Sequence, residues 1–453
     1  MIGGDTAKLA DLIGGRHVGK PARFCGVFTD TRNPVPGAVF WGIRGGRYDG
    51  QDYAAEAIKA GAACAVVADA SRIPPGGSGV VVEDTIDALT EAAACERRRF
   101  SGTVVAVTGS FGKTTAKNAL ALLLGDGAYP APASFNNRIG VPLTFLNAPS
   151  DAEFIVAEAG VNHRGEMAPL GEIIRPDAVL FTGIGPVHLE GIGSVEGVAE
   201  EKGVLAAWVR EGGPVMLPAN MERRLKSLLL SQRAAGTAVH ELDVQAVRAV
   251  SVADNGLTVI RAACGEIELS VCPAGQVETL SLAWEAARLL SGAPPQTLYS
   301  RLACYEPGPG RWMVTQLDAG RIVLVDDSFN ANPASMDAAL EGFRRIRQPV
   351  KIAVLGDMRE LGRDAPALHA EMGAKAAAAG VSVLFLVGKM ADKYRGGYGA
   401  AGTADAFPCA ADAATALVSR LEADASPAAV LVKGSHALGM DAVVNAAVEA
   451  FPG

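Results

Sequence analysis

The stretch Thr103-Val-Val-Ala-Val-Thr108-Gly-Ser-Phe-Gly112-Lys113-Thr114-Thr115 decides the reading of this chain. Six apolar or β-branched residues, Thr103–Thr108, form a buried-strand run. A small-residue loop follows, and then Thr115–Leu124, whose Ala/Leu content reads as a helix. A strand that turns through glycines into a helix N-terminus presents backbone N–H groups to an anion. In such a loop Lys113 neutralises β/γ-phosphates and Thr114 offers its hydroxyl to Mg²⁺. Val107 stands where the general phosphate-loop pattern has its first Gly, so that pattern is met over Gly109, Ser110, Gly112, Lys113, Thr114 and Thr115 only. The alternative is a Gly-rich turn with a solvated lysine, and GKTT at the strand–helix junction favours nucleotide binding.

Outward from this loop, apolar runs at Phe154–Ala157 and Ala178–Thr182 alternate with helical pattern, which predicts a doubly wound parallel sheet. Strand ends carry function in such sheets. Glu158-Ala-Gly-Val-Asn-His163 follows the first run, and Gly183-Ile-Gly-Pro-Val-His188-Leu-Glu190 the second. A carboxylate at 158 suits Mg²⁺, which takes one or two carboxylates with phosphates and water. Singly, a lone His or Glu is more often structural or solvated.

Around 247–272 the texture becomes that of an antiparallel meander turning at Asp254-Asn255-Gly256. After a helix near 279–290, Pro307-Gly308-Pro309-Gly310 reads as a hinge. Beyond it, strands at Ile322–Val325, Ile352–Leu355, Val383–Val387 and Ala429–Val432 with helical spacers predict a Rossmann-like unit. None of these strands runs directly into a GxGxxG loop, so the unit carries no dinucleotide signature. Short β-like runs at Cys25–Thr29, Ala38–Gly42, Ala63–Val67 and Gly79–Val82 form an earlier, smaller α/β unit that ends at Arg97-Arg98-Arg99. The fold class is therefore α/β in three domains: 1–98, 99–308 and 309–453.

Composition agrees. The 453 residues are 49% hydrophobic and 20% charged, an ordinary globular balance, with 41 Lys+Arg against 49 Asp+Glu. The net −8 lies wholly beyond residue 100, because residues 1–100 carry 12 basic and 12 acidic groups. No basic block interleaved with aromatics points to nucleic acid. Positive charge for handling phosphates must then be concentrated at loops and a metal. Seven scattered cysteines without CxxC spacing indicate neither a disulfide framework nor a zinc site. The sequence starts without a basic segment leading into an apolar one, and its longest uncharged apolar stretch, Ala376 to Gly388, is too short to span a bilayer. A soluble, cytoplasmic protein is expected.

In order along the chain stand Thr29-Asp30-Thr31-Arg32, the loop TGSFGKTT (108–115), Phe135-Asn-Asn137-Arg-Ile-Gly-Val-Pro142, EAGVNHRGE (158–166), GPVHLEGIGSVEGVAEEKG (185–203), PGR (309–311), DDSFNANPASM (326–336), LGDMRELG (355–362) with His369, and LVKGS (431–435). This series resembles the Mur ligase family over nearly the whole chain. Asn-Ala-Asn-Pro and Gly-Asp-Met-x-Glu-Leu-Gly favour its branch that joins D-alanyl-D-alanine to a UDP-N-acetylmuramoyl tripeptide. The resemblance implies ATP-dependent amide formation through an acyl phosphate, in peptidoglycan precursor synthesis, by an enzyme expected to be monomeric. The first domain would hold the UDP end through Asp30, Thr31 and Arg32, the second ATP, and the third the incoming amino compound.

Position by position, the resemblance makes Thr114 and Glu158 ligands of a first Mg²⁺. Glu158, His188 and Lys202 would hold a second ion, with Lys202 carbamylated by CO₂. Lys113 and Arg311 would contact phosphate, Asn137 would be the central-domain asparagine, and Asp327, Asn330 and Asn332 would face the nucleotide. The chain departs from the family pattern at Ala131-Pro-Ala-Ser134 and Gly275-Gln-Val-Glu-Thr-Leu-Ser281. It departs also at Phe329, in place of the usual Tyr, and at His436, in place of the usual Arg. A ligase with another acceptor, or a silent nucleotide-binding scaffold, are the competing readings. A scaffold has no need to keep Lys113, Glu158, His188, Lys202 and Asp327 together.

Overall fold

The computed structural model describes residues 2–46 and 48–453. Its central sheet is wholly parallel and six-stranded, in the order Ala238–Leu242, Pro214–Pro218, Ala178–Phe181, Thr103–Thr108, Phe154–Glu158, Ala128–Pro130. Thr103–Thr108 comes first in the chain and lies inside the sheet, with Phe154–Glu158 on one side and Ala178–Phe181 on the other. The strand order therefore reverses around it, and the loops leaving these three strands converge at one edge. That is where an open α/β sheet binds its ligands. An antiparallel three-stranded meander (Arg248–Val252, Thr258–Ala262, Gly265–Leu269) follows, as the turn at Asn255-Gly256 predicts.

The C-terminal sheet runs Met313–Leu317, Ile322–Asp327, Ala428–Lys433, Val350–Gly356, Val383–Val387, Thr403–Phe407, with only the first strand antiparallel. The N-terminal sheet has five short strands, Arg16–Val18, Gly79–Val81, Cys64–Val67, Val39–Trp41 and Val27–Phe28. The three-domain α/β architecture is the one expected. In the central and C-terminal sheets the strands not foreseen are Ala128–Pro130, Pro214–Pro218, Ala238–Leu242, Met313–Leu317 and Thr403–Phe407. Four of these five lie at sheet edges, where little apolar patterning is required, and the fifth is bracketed by prolines.

The first two domains share a core. One apolar cluster runs from Leu9, Val39, Trp41, Leu89 and Ala92 into Val104, Phe145, Leu170 and Ile173. Asn147 exchanges two hydrogen bonds with the backbone of Val27, at 2.9 and 3.0 Å. Arg97, on the helix Thr85–Arg99, donates to the carbonyls of Ile174 and Arg175 and to Asp177. The Asp177 carboxylate also accepts from Val104 N. Among the described residues no helix is long and apolar enough to cross a membrane.

Candidate active site

A cavity of about 720 Å³ lies between the carboxyl edges of the central and C-terminal sheets. The phosphate loop forms its floor. Gly112, in the left-handed region (φ 71°), caps the helix Lys113–Leu124, and a Cβ there would meet Thr279 Oγ1 at 2.7 Å. At Gly109 a Cβ would sit 2.1 Å from Thr182 Oγ1, so the loop's fold against the neighbouring strand requires glycine. Ser110 N donates to Gly183 O, and Ser110 Oγ exchanges hydrogen bonds with Gly185. The loop is thereby held against the segment that carries His188. Lys113 Nζ donates to Gly109 O at 2.9 Å.

Glu158 ends the adjacent strand and is 1% exposed. Its carboxylate accepts from Thr114 Oγ1 at 2.9 Å and from Asn136 Nδ2 at 2.8 Å, and Lys117 Nζ lies 3.9 Å away. The expected pairing of Thr114 with Glu158 is thus in place. Asn137, in contrast, directs its side-chain oxygen to the N–H groups of Ile139 and Gly140 and caps the following helix, although it too lines the cavity. The neighbouring asparagine, Asn136, is the one that touches Glu158.

The opposite wall comes from the C-terminal sheet. Asp327 ends one strand and accepts from Lys433 Nζ, at the end of the next strand, at 2.7 Å. Lys433 is 2% exposed and also donates to Asn330 O. Asn332 caps the helix Pro333–Arg344 in a reciprocal arrangement with Ser335. The Arg311 guanidinium lies 4.0 Å above the Phe329 ring, a cation–π contact, and His436 packs on that ring at 5.5 Å. The departures from the family pattern thus hold structure around Arg311. Gln276 bridges Cys272 N and Arg311 O, and the carbonyls of Ala131 and Ala133 both accept from Lys117.

Charge in this cavity is arranged for an anion. Burial pushes Lys113 and Arg311 below their ordinary ranges, each is drawn back up by Glu158, and Arg311 depresses Lys113 further. Desolvation raises Asp327 against the pull of Lys433. His188, in the left-handed region (φ 53°), is lowered by burial and raised again by Glu360, which lies 2.6 Å from its Nδ1. Lys202 lies on the helix Val195–Gly203. It is fully buried, its Nζ has no hydrogen-bond partner, and burial together with Lys113 lowers it well below the usual lysine range.

Ser110, Thr115, Asp327, Asn330 and Asn332 line the cavity, while Gly109 and Lys202 are not among the residues that line it. Asp30, Thr31 and Arg32 do not line it. Asp30 and Arg32 form an exposed ion pair on the first domain, and the guanidinium holds the Asp30 carboxyl down at about 2. Sequence reasoning did not single out Lys117, Asn136, Lys433 or Glu360. The signal for the two lysines was present: each interrupts an apolar element, and a lysine is almost never buried without partners.

Three family profiles cover most of the chain: Mur ligase family, catalytic domain (residues 23–100), Mur ligase middle domain (107–276) and Mur ligase, glutamate ligase domain (310–436). The chain is 33% identical, over 99% of both sequences, to the UDP-N-acetylmuramoyl-tripeptide–D-alanyl-D-alanine ligase of Escherichia coli (strain K12). Its fold is shared with MurF from Acinetobacter baumannii (TM-score 0.82, 23% identity, 99% of both chains). It is shared also with MurF ligase from Thermotoga maritima in complex with ADP (TM-score 0.76, 24% identity, 94% of this chain and 97% of that one). With a two-sheet cleft, a phosphate loop facing a buried carboxylate, and a 33% identical relative spanning its whole length, this chain belongs to the Mur ligase family.

Proposed function

We propose that this protein joins D-alanyl-D-alanine to the terminal carboxylate of a UDP-N-acetylmuramoyl tripeptide at the expense of ATP, in the cytoplasmic stage of peptidoglycan precursor synthesis. The observation that carries the reading is the cleft itself. The phosphate loop and Glu158 on one sheet face Arg311, Asp327 and Lys433 on the other, in a chain alignable end to end with the Escherichia coli ligase. ATP is the nucleotide, supported by the phosphate loop here and by ADP in the Thermotoga maritima relative. We assign residues 1–98 to the UDP end of the precursor, 99–308 to ATP and 309–453 to the incoming amine. The helix ending at Arg99 and the Pro307–Gly310 segment mark the two boundaries. Asp30, Thr31 and Arg32 stand on the first domain for that purpose, and a monomer suffices because the cleft is complete within one chain.

Two anions, carboxylate and triphosphate, must meet in the reaction. Lys113 and Arg311 reduce that repulsion from opposite walls. The substrate carboxylate oxygen attacks the γ-phosphorus and ADP departs. The amine then attacks the acyl carbon, loses a proton, and expels inorganic phosphate carrying one former carboxylate oxygen. Lys117 holds the 131–133 turn and Glu158 in place. Among the described residues no three His, Cys, Asp or Glu side chains form a metal cluster. Thr114 and Glu158 do fit one Mg²⁺ completed by phosphate oxygens and water. A second ion would be held by Glu158, His188 and Lys202. The orphaned, buried Lys202 Nζ fits a lysine that takes up CO₂ as a neutral amine and becomes an anionic oxygen ligand. When bound, Mg²⁺ supplies charge neutralisation at the β- and γ-phosphates.

Phosphate release measured across a matrix of UDP-muramoyl peptides and amines tests the reading. Release should require ATP, a tripeptide and D-alanyl-D-alanine together. Efficient turnover with a different acceptor and none with D-alanyl-D-alanine would replace it by the divergent-ligase reading, and no turnover with any pair would favour the scaffold.

A further inference from the structure

The loop after the strand Val350–Gly356 crosses the cleft. Its base is fixed within the C-terminal domain: Asp357 accepts from the N–H groups of Lys389 and Met390, and Met358 N donates to Nε2 of the fully buried His369. From this base the chain places Glu360 in the left-handed region (φ 64°), where a side chain is strained. There Glu360 Oε2 lies 2.6 Å from His188 Nδ1, and Gly362 N donates to Glu190 Oε1 at 3.1 Å. His188 is itself left-handed. Two strained residues, one in a loop after a strand of each sheet, meet here.

An ionised carboxylate only accepts, so Nδ1 must carry a hydrogen, and in the neutral ring Nε2 is left with a free electron pair. Without this partner a neutral imidazole carries its hydrogen mainly on Nε2, the wrong nitrogen to keep available. A carboxylate that orients a ligating histidine through its other nitrogen is a recurring arrangement at metal sites. Here, however, the carboxylate and the histidine belong to different domains.

We propose that Glu360 is a positioning residue for the ligase reaction: brought up by the C-terminal domain, it fixes the His188 ring with Nε2 free, so that this nitrogen is ready for a cation only when the cleft is shut. The proposal rests on the assignment of His188 to the second metal position. It makes closure and readiness of the site one event, and Glu190 with Gly362 sets the register of the contact.

The test uses full-length protein carrying ¹⁵N-histidine, whose six histidines are few enough to resolve, with His188→Gln identifying the resonance. With a non-hydrolysable ATP analogue and no metal, His188 of the parent should show the hydrogen on Nδ1. In Glu360→Ala it should shift to Nε2, kcat should fall about 10- to 100-fold, and the KM for the tripeptide should stay within about twofold. Glu360→Gln, whose amide oxygen still accepts, should restore the Nδ1 form and part of kcat. An unchanged tautomer and kcat in Glu360→Ala would overturn the proposal. So would equal losses in melting temperature, KM and kcat, which mark a merely structural contact. If the parent shows no turnover, the ligase reading fails, while the tautomer measurement still decides the role of Glu360.

Discussion

The two junctions of the central domain are built on different principles. Its junction with the first domain is a continuous apolar core sealed by a buried ion pair, Arg97 and Asp177, whose side chains are 12% and 11% exposed. Its junction with the C-terminal domain has apolar packing only beside the meander, where Val252 and Cys272 meet Trp312 and Phe343 and Ser270 bridges Trp312 O and Val314 N. Elsewhere it consists of the cavity and the contact of residues 188–190 with 360–362. The segment joining the two is strained at Trp312. Gly310 and Trp312 are both left-handed, and the buried Trp312 indole N–H has no partner. Apolar burial resists displacement, whereas a short polar contact beyond a strained hinge reforms at little cost. On the proposed assignment of the domains, the first junction would set where the precursor enters. The other is suited to shut over the nucleotide, so closure should be a movement of the third domain alone.

Arg97→Ala should have the largest effect. It leaves the Asp177 carboxylate buried beside Val104 N with only the more exposed Arg210 in reach, and breaking a buried pair costs about 3–5 kcal/mol. Denaturant unfolding should show the loss, and a change below about 1 kcal/mol would mean the first junction does not depend on this pair. Lys113→Ala works on the other side of the comparison. Ligation should slow by about 10²–10³-fold with the unfolding midpoint unchanged, because the lost charge serves the phosphates and not the fold. Near-normal turnover would contradict the phosphate-loop assignment.

Hydrogen exchange compares the junctions within one sample. Amides of Val27 and Val104 should exchange only with global unfolding, and that of Gly362 by local opening that an ATP analogue suppresses. Equal protection at all three sites would make the third domain as fixed as the first. The smallest effect is expected from Arg32→Ala. Its exposed pair with Asp30 should leave stability unchanged, and a raised KM for the UDP precursor alone would support the first-domain assignment.

Apart from the proline-bracketed Pro214–Pro218, interior strands of the central and C-terminal sheets were legible in the sequence because burial on both faces demands continuous apolar runs, as at Thr103–Thr108 and Val383–Val387. Edge strands such as Thr403–Phe407 are half solvated and carry no such demand. At the site, Lys113, Thr114 and Glu158 were legible because loop chemistry restricts residue type. Lys202 was named only through the family resemblance, since a helix lysine after two glutamates otherwise reads as solvated. Lys117, Lys433 and Glu360 act through partners distant in the chain, and such pairings are properties of the folded topology.

The central claim is that the cleft activates a carboxylate by phosphorylation. It is tested most directly by supplying the UDP-muramoyl tripeptide with ¹⁸O in its terminal carboxylate, together with ATP and D-alanyl-D-alanine, and weighing the products. Attack of that carboxylate on the γ-phosphorus followed by amide formation predicts one ¹⁸O in each inorganic phosphate released and one in the new amide. Unlabelled phosphate, or label recovered in AMP, would contradict it.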